Sequence, residues 1–183
     1  LDTALALLEE AKSECTKKGQ GFSDSLETGT MIEIPAAAMI AEALAERSDF
    51  FSIGTNDLVQ YALAADRGNA RVSYLAQPFH PAVLRLIRQT IDAARKRGIP
   101  AAMCGELAGE CSATALLLGL GLDEFSMAAA SIPGVKHIIR RVNYGACRAL
   151  AEEALAAPSG AMVREALRRW TGEHLPQELA DDL

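Results

Sequence analysis

The sequence predicts an α/β fold built on a parallel sheet of about four strands. Short apolar runs alternate with longer helix-like stretches, a pattern typical of parallel strands joined by right-handed crossover helices. Two acidic side chains, Glu33 and Asp57, follow the first two of these runs. A complete (β/α)8 TIM barrel takes about 250 residues and about 200 at the least. The 183 residues of this chain therefore predict a partial barrel, followed by C-terminal helices.

The first quarter of the chain contains a helix, a strand and a second helix. An amphipathic pattern over residues 3–18 predicts a helix that Gly19 ends. Residues 30–34 form the first predicted strand. Proline has no N–H group and suits the first turn of a helix, so Pro35 marks a helix start. That helix is expected to continue over residues 36–46.

The second predicted strand covers residues 50–53, and a helix is expected over residues 57–65. A loop rich in glycine and proline follows. Pro81 again marks a helix start, and residues 82–97 place apolar side chains on one side and basic side chains elsewhere. Gly98 is expected to end this helix.

The third predicted strand covers residues 99–104. A helix over residues 112–118 is expected to end at Gly119, and residues 124–127 form a short fourth strand. The acidic tail after Gly172 is expected to fray. Three further helices are predicted at residues 133–142, 144–156 and 161–170.

Charge and hydropathy argue against two classes of partner. The chain carries 24 acidic and 18 basic residues, a net charge of −6, and no block of Lys and Arg that would indicate nucleic-acid binding. Its longest apolar stretch, residues 113–122, is too short to cross a bilayer. We therefore expect neither nucleic-acid binding nor membrane insertion.

The four cysteines include no Cys-x-x-Cys pair, so a zinc ribbon or a redox dithiol is not expected. A core of this size needs no disulfides, which predicts a reducing, cytoplasmic location. No signal peptide opens the chain, and Leu1 already lies in a helical pattern. We interpret the chain as a fragment, with residues 1–183 forming part of one domain.

Glu33 and Asp57 are the candidate metal ligands. Both follow strands of a predicted parallel sheet, whose carboxyl ends meet on one rim. Two carboxylates leave most of an octahedral Mg²⁺ shell open for water and substrate oxygens. Two alternatives stay open, because Glu33 could form a buried ion pair with an arginine, and Asp57 could cap the next helix together with Asn56.

Other residues near this rim suit an anionic substrate. The turn Gly54-Thr55-Asn56 precedes a helix, whose N-terminal N–H groups favour phosphate. Arg67 follows that helix and could hold a carboxylate or phosphate through two hydrogen bonds, although a solvated surface arginine is the alternative.

Cys104 ends the third predicted strand beside Gly105, a position suited to acid, base or nucleophilic chemistry, although a lone cysteine is more often a small apolar residue. The other three cysteines are assigned packing roles. The histidines have no metal-ligand spacing, and His80 is expected to be a turn residue. Four methionines are expected in the core, namely Met31, Met39, Met103 and Met127.

Five segments closely resemble the phosphoenolpyruvate-binding barrel of the Enzyme I family, the phosphoenolpyruvate–protein phosphotransferases of the bacterial sugar phosphotransferase system. The likeness runs from about residue 4 to residue 156, and its motifs are long and specific. Pyruvate phosphate dikinase and phosphoenolpyruvate synthase share the second and fourth segments, but the last is more similar to Enzyme I. The segments are Gly29-Thr30-Met31-Ile32-Glu33-Ile34-Pro35, Phe50-Phe51-Ser52-Ile53-Gly54-Thr55-Asn56-Asp57-Leu58, Gln77-Pro78-Phe79-His80-Pro81, Met103-Cys104-Gly105-Glu106-Leu107-Ala108-Gly109 and Asp123-Glu124-Phe125-Ser126-Met127.

The resemblance implies a role for each matched residue. Glu33 and Asp57 correspond to Mg²⁺ ligands. Asn56, the backbone at Asp57, and Arg67 correspond to contacts with phosphoenolpyruvate. Cys104 corresponds to the acid that protonates the enolate carbon as pyruvate forms.

The resemblance covers the C-terminal half of the barrel, strands five to eight. It implies a phosphotransferase that passes the phosphoryl group of phosphoenolpyruvate to an enzyme histidine and then to a histidine phosphocarrier protein, for sugar uptake. The phosphohistidine and carrier-binding domains are absent from the 183 residues, so we expect this chain alone to be inactive. The family's barrel domain also forms dimers, and the edges of a half-barrel favour self-association.

Three other readings remain open. The chain could belong to a dikinase or synthase relative, or to a metal-dependent lyase that acts on a pyruvate enolate. It could also be a non-catalytic binding or dimerisation fragment. Both Mg²⁺ and Mn²⁺ suit oxygen ligands such as the Glu33 and Asp57 carboxylates.

Overall fold

The computed structural model describes residues 1–175, which form one parallel four-stranded sheet with its helices. The strands are β1 (Gly29–Ile32), β2 (Phe50–Gly54), β3 (Ala101–Cys104) and β4 (Glu124–Phe125). They pair in the order β1-β2-β3-β4, each parallel to its neighbour. Each strand lies next to the one that follows it in the chain, as in a barrel wall. This confirms the predicted α/β partial barrel.

The helices match the predicted order, with local differences. The one predicted helix after β1 is divided at Ile40, whose φ of −108° and ψ of 20° break the helical path. Residues 173 and 174 of the predicted frayed tail continue the last helix, whereas residues 176–183 lie outside the described residues. The helices are α1 (Asp2–Lys17), α2 (Pro35–Met39), α3 (Ala41–Ala45), α4 (Thr55–Leu63), α5 (Pro81–Arg97), α6 (Thr114–Leu120), α7 (Ile132–Ile139), α8 (Tyr144–Ala156) and α9 (Gly160–His174).

The two faces of the sheet differ in burial because side chains alternate along each strand. One face packs against the helices and buries Phe51, Ile53 and Met103, each 0% exposed. The opposite face, which we call the open sheet face, consists of Met31, Ser52, Ala102 and Cys104 and is partly exposed. Met31 is 48% exposed there, so its predicted core position is wrong.

Two further methionines test the core prediction. Met39 lies at the end of α2 and is 62% exposed, so its predicted core position is also wrong. Met127 is only half-buried after β4. Helices expose one side to solvent, and the sequence pattern did not distinguish that side from the buried one at Met39.

Helix α8, near the C-terminus, packs closely against helix α6. Gly119 lies inside α6 rather than at its end, which corrects its predicted capping role. The cap is Gly121, whose φ of 93° suits glycine. Gly119 permits close contact, because a Cβ there would overlap the backbone carbonyl of Cys147 on α8.

Helix starts follow from short polar contacts. His80 is the N-cap of α5, where its Nδ1 accepts a hydrogen bond of 3.2 Å from the Ala82 N–H, so it is more than a turn residue. Asn143 and Ser159 cap α8 and α9 in the same manner. Within residues 1–175, no helix is both long and apolar enough to cross a bilayer.

Candidate active site at the carboxyl ends of the strands

The structure places the candidate residues at the carboxyl ends of three neighbouring strands. Glu33 follows β1, Asn56 and Asp57 lie in the first turn of α4 directly after β2, and Cys104 ends β3. Register pairs Gly54 with Cys104, so these two strand ends lie side by side. The rim predicted from the sequence is therefore present.

Glu33 lies directly over Gly54. A Cβ built on Gly54 would be 2.8 Å from the Glu33 Cβ and 3.0 Å from its Oε2. The Glu33 side chain is half-buried, and it takes part in none of the ion pairs among residues 1–175. The alternative of a Glu–Arg pair is thus not found in the described part of the chain. The carboxylate instead faces the backbone that begins α4.

Asp57 lies inside the first turn of α4 rather than ahead of it. Gly54 occupies the N-cap position, so the predicted alternative of capping by Asn56 or Asp57 is wrong. The positive end of the helix dipole still favours a carboxylate at this position. One Asp57 oxygen lies 4.0 Å from the Arg67 guanidinium, and the two side chains are 39% and 47% exposed. At that separation the pair is weak, of order 0–1 kcal/mol.

Arg67 is held near α4 through its backbone. Its N–H donates to the Gln60 Oε1 over 3.3 Å. The guanidinium remains exposed, with its only ion pair among the described residues being the weak one with Asp57. It is therefore available to an anion.

Asn56 connects the ends of β2 and β3. Its Oδ1 accepts a hydrogen bond of 3.2 Å from the backbone N–H of Glu106. This contact fixes the amide and leaves the two donors of its NH₂ group for a ligand. Thr55 adds a second tie, since its hydroxyl donates to the Cys104 carbonyl over 3.4 Å.

Cys104 is half-buried on the open sheet face, and the Ser52 hydroxyl donates to its Sγ over 3.2 Å. Gly105 turns the chain away immediately afterwards with a φ of 113°, a region that favours glycine. A Cβ on Gly105 would lie 2.5 Å from the Thr55 Oγ1. Glycine is therefore required on both conformational and steric grounds.

Two adjoining clefts open at this rim. One, of about 600 Å³, is lined by residues that include Asn56, Arg67 and Glu106. The other, of about 620 Å³, is lined by residues that include Asn56, Cys104 and Glu106. Asn56 borders both clefts, whereas Arg67 borders the first and Cys104 the second. Glu33 and Asp57 are not among the lining residues of these two clefts.

The acidic pair suits a hard divalent cation that takes most of its ligands from water and substrate. Among residues 1–175 there is no group of three or more His, Cys, Asp or Glu side chains that could hold a metal. This donor set does not fit structural zinc, which takes four protein ligands. Mg²⁺ is commonly bound through one or two carboxylates together with substrate phosphates. Glu33 and Asp57 fit that pattern by their chemistry.

Two of the other thiols, those of Cys111 and Cys147, have environments that favour the neutral form. Burial raises the pKa of Cys111, and the adjacent Glu110 carboxylate adds to this effect. Burial raises the pKa of Cys147 to about 11. Both observations agree with the packing roles predicted for these cysteines.

Two residues with contacts at the site received no role in the sequence analysis. Ser52 could have been noticed as a polar residue between Phe51 and Ile53, two positions before Gly54 and thus on the same face. Glu106 contributes its backbone N–H, for which side-chain identity carries no signal.

Comparison with known proteins agrees with these motifs. Residues 1–144 match the family model described as PEP-utilising enzyme, PEP-binding domain. A phosphoenolpyruvate-protein phosphotransferase of Haemophilus influenzae is 48% identical over 169 residues, which cover 92% of this chain and 29% of the relative.

Two further relatives carry the same name. The protein of Listeria monocytogenes is 51% identical over 167 residues, covering 91% of this chain and 29% of the relative. That of Bacillus subtilis is 59% identical over 129 residues, covering 70% of this chain and 23% of the relative. The chain thus spans less than a third of the length of these relatives, and the resemblance predicted from the motifs is confirmed.

Proposed function

We propose a function that proceeds from one fact: the chain belongs to the PEP-utilising enzymes and matches their PEP-binding domain. It supplies one part of the phosphoenolpyruvate site of a phosphoenolpyruvate–protein phosphotransferase. The whole enzyme moves the phosphoryl group to its own histidine and then to a histidine phosphocarrier protein during sugar uptake, and it releases pyruvate. The observation that carries the proposal is that Arg67, Asn56 and Cys104 border two adjoining clefts at one rim.

Binding of phosphoenolpyruvate is assigned to Asn56, the start of α4, and Arg67. The Asn56 NH₂ group is free to donate because its oxygen is already bonded to Glu106. The N–H groups at the start of α4, including that of Asp57, favour phosphate. The exposed Arg67 guanidinium can hold an oxyanion through two parallel hydrogen bonds.

Mg²⁺ is assigned to Glu33 and Asp57, with the remaining ligands from water and substrate oxygens. When bound, it supplies neutralisation of the negative charge that develops on the substrate oxygens. The protein's own part is to hold the two carboxylates. Gly54 lets the Glu33 side chain lie against the strand end, and the first turn of α4 presents Asp57.

Cys104 is assigned as the acid for the enolate that remains after phosphoryl transfer. Its S–H bond breaks, a C–H bond forms at the enolate methylene carbon, and pyruvate results. The sulfur is left as a thiolate, which solvent water then reprotonates. The Cys104 thiol borders the same cleft as Asn56, which supports this assignment.

Calorimetric titration of phosphoenolpyruvate into the 183-residue chain tests the proposal, with and without Mg²⁺. We expect binding that depends on Mg²⁺. This binding is expected to be lost in a Glu33→Ala/Asp57→Ala double variant, because the variant removes both carboxylates that are proposed to hold the ion. Glu42→Ala is the matched control, since its carboxylate pairs with Lys96 on the surface at 2.8 Å. Binding that ignores both Mg²⁺ and the double variant, or no binding in any condition, would contradict the proposal for this chain.

A further inference from the structure

We propose that Ser52 is a positioning residue for Cys104, and that its hydroxyl stabilises the sulfur as the thiol gives up its proton. The inference rests on the proposed function, because it concerns the same acid. It adds a residue that does not touch the substrate and acts through Cys104.

The two side chains meet across neighbouring strands. Ser52 lies on β2 and Cys104 on β3, where register pairs Ser52 with Ala102 and Gly54 with Cys104. Both side chains therefore belong to the open sheet face, and the Ser52 Oγ lies 3.2 Å from the Cys104 Sγ. Both are half-buried, so water competes less for this hydrogen bond than it would at a fully exposed site.

The direction of the hydrogen bond suits an acid. The Ser52 O–H donates and the sulfur accepts, so the thiol proton is not used in this contact. Cys104 also borders the cleft that it shares with Asn56, where that proton can reach a bound enolate. The hydrogen bond strengthens as negative charge develops on the sulfur, because hydrogen bonds to ionised acceptors are stronger than neutral ones.

Other contacts hold the Cys104 backbone but not its sulfur. Thr55 donates to the Cys104 carbonyl over 3.4 Å, and Gly105 sets the turn that follows. Among the described residues, the Ser52 hydroxyl is the hydrogen-bond partner recorded for the sulfur. The charged groups that border the same cleft are Glu106 and Glu110, and both stay unchanged in the variants below.

Two replacements of Ser52, by threonine and by valine, have nearly the same shape as each other. They separate the effect of the hydroxyl from the effect of side-chain shape. Ser52→Thr keeps the hydroxyl and adds a methyl group, whereas Ser52→Val adds the same methyl group and has a second methyl group in place of the hydroxyl. In the 183-residue chain, the rate of Cys104 alkylation by iodoacetamide is followed at fixed pH by peptide mass spectrometry, which separates it from the other three cysteines. We expect Ser52→Val to slow alkylation about 10-fold through loss of a hydrogen bond to a charged acceptor, and Ser52→Thr to stay close to the unsubstituted chain.

Steady-state turnover of phosphoenolpyruvate by the full-length enzyme supplies the second measurement. We expect Ser52→Val to lower kcat about 10-fold with little change in KM, because the lost interaction matters only as charge develops on sulfur. Ser52→Thr is expected to restore kcat. Urea unfolding of both variants shows that each is folded.

The outcomes distinguish this inference from the proposed function. If Cys104→Ala leaves turnover unchanged, the assigned acid is wrong, whatever Ser52 does. If Cys104→Ala abolishes turnover but Ser52→Val matches Ser52→Thr in alkylation or in kcat, the positioning role of Ser52 is overturned. A fall in both alkylation and kcat for Ser52→Val alone supports it.

Discussion

Single residues at the rim owe their positions to contacts between strand ends. Asn56 is held by the Glu106 N–H over 3.2 Å, and Cys104 by the Ser52 hydroxyl over 3.2 Å. These hydrogen bonds fix polar side chains before any ligand arrives, which lowers the entropy lost on binding. Glycines also help to position these residues. Gly54 leaves the space that the Glu33 side chain occupies, and Gly105 leaves the space that the Thr55 side chain occupies.

At Gly54, a single methyl group is expected to displace Glu33, the proposed metal ligand. Alanine is compatible with its φ of −85°, so Gly54→Ala strains no backbone dihedral. The added Cβ would lie 2.8 Å from the Glu33 Cβ, so that side chain must move. Disturbance of groups that orient a metal ligand typically costs about 10- to 100-fold in affinity.

The measurement is a Mg²⁺ titration in the presence of phosphoenolpyruvate, with circular dichroism to monitor folding. Gly21→Ala is the control, because nothing lies within 4 Å of a Cβ at that position. Unchanged Mg²⁺ affinity in a folded Gly54→Ala variant would show that Glu33 does not hold the ion.

At the scale of the elements, the most extensive contact between two helices among residues 1–175 joins α6 and α8. Thr114 to Leu117, Gly119 and Leu120 are buried in α6, which contacts α8 more extensively than any other helix. Cys147 lies at this contact and is 0% exposed. The interface is therefore sensitive both to added volume and to added charge.

Two glycines within helices are expected to respond in opposite directions to alanine. At Gly119 the added Cβ would overlap the Cys147 carbonyl, so α6 and α8 must separate. Overpacking of this kind costs about 1–3 kcal/mol or more. At Gly172 on α9 nothing lies within 4 Å, and alanine is expected to stabilise the helix by about 0.5–1 kcal/mol. Urea unfolding of both variants measures the difference, and a Gly119→Ala variant as stable as Gly172→Ala would contradict the described packing.

The buried thiol of Cys147 predicts a loss of stability at alkaline pH. Burial raises its pKa from 9.0 to about 11 in the folded chain. Above pH 9 the unfolded chain loses this proton while the folded chain retains it, so the free energy of unfolding falls as pH rises from 9 to about 11. Below pH 9 the thiol is protonated in both states, so its contribution to the free energy of unfolding is fully present.

The measurement compares urea unfolding of the unsubstituted chain and Cys147→Ala at pH 8 and pH 10.5. We expect the unsubstituted chain to lose more stability over this interval, since the other titrating groups are common to both. Equal losses would mean that the Cys147 thiol titrates alike in the folded and unfolded chain.

At the scale of the whole molecule, the helices among residues 1–175 pack against the buried face of the sheet, and the open sheet face stays partly exposed. Met31 on the open sheet face is 48% exposed, and the outer edges of β1 and β4 pair with no other strand among residues 1–175. Exposed strand edges template pairing with another chain. The isolated chain is therefore expected to self-associate.

Static light scattering at micromolar concentration tests this expectation. We expect a mass above the 19.4 kDa of one chain, and Met31→Glu is expected to reduce it by placing charge on the open sheet face. Met39→Glu is the matched control, because Met39 is 62% exposed on the helical side. A compact monomer at this concentration, or equal effects of the two substitutions, would contradict association through this face.

Local sequence patterns by themselves predicted about four strands, their parallel arrangement and the residues at the carboxyl ends of the strands. Alternation of strands and helices restricts the topology. Glu33, Asn56, Asp57 and Cys104 lie at or directly after the end of a strand, whereas Arg67 follows helix α4. Pro35 and Pro81 marked helix starts correctly. The backbone N–H groups of the first turn have no partner within the helix, so a proline there loses no hydrogen bond.

Only the tertiary structure decided which side chains meet across strands and which surfaces pack. The Ser52–Cys104 hydrogen bond depends on the register of β2 with β3, and residues 52 positions apart carry no local signal of it. Gly119 was expected to end a helix, yet it serves the contact with α8. Met39 was expected in the core, yet its side chain is exposed. Each of these depends on contacts between segments distant in the chain, whereas periodicity, turns and helix starts are governed by neighbouring residues.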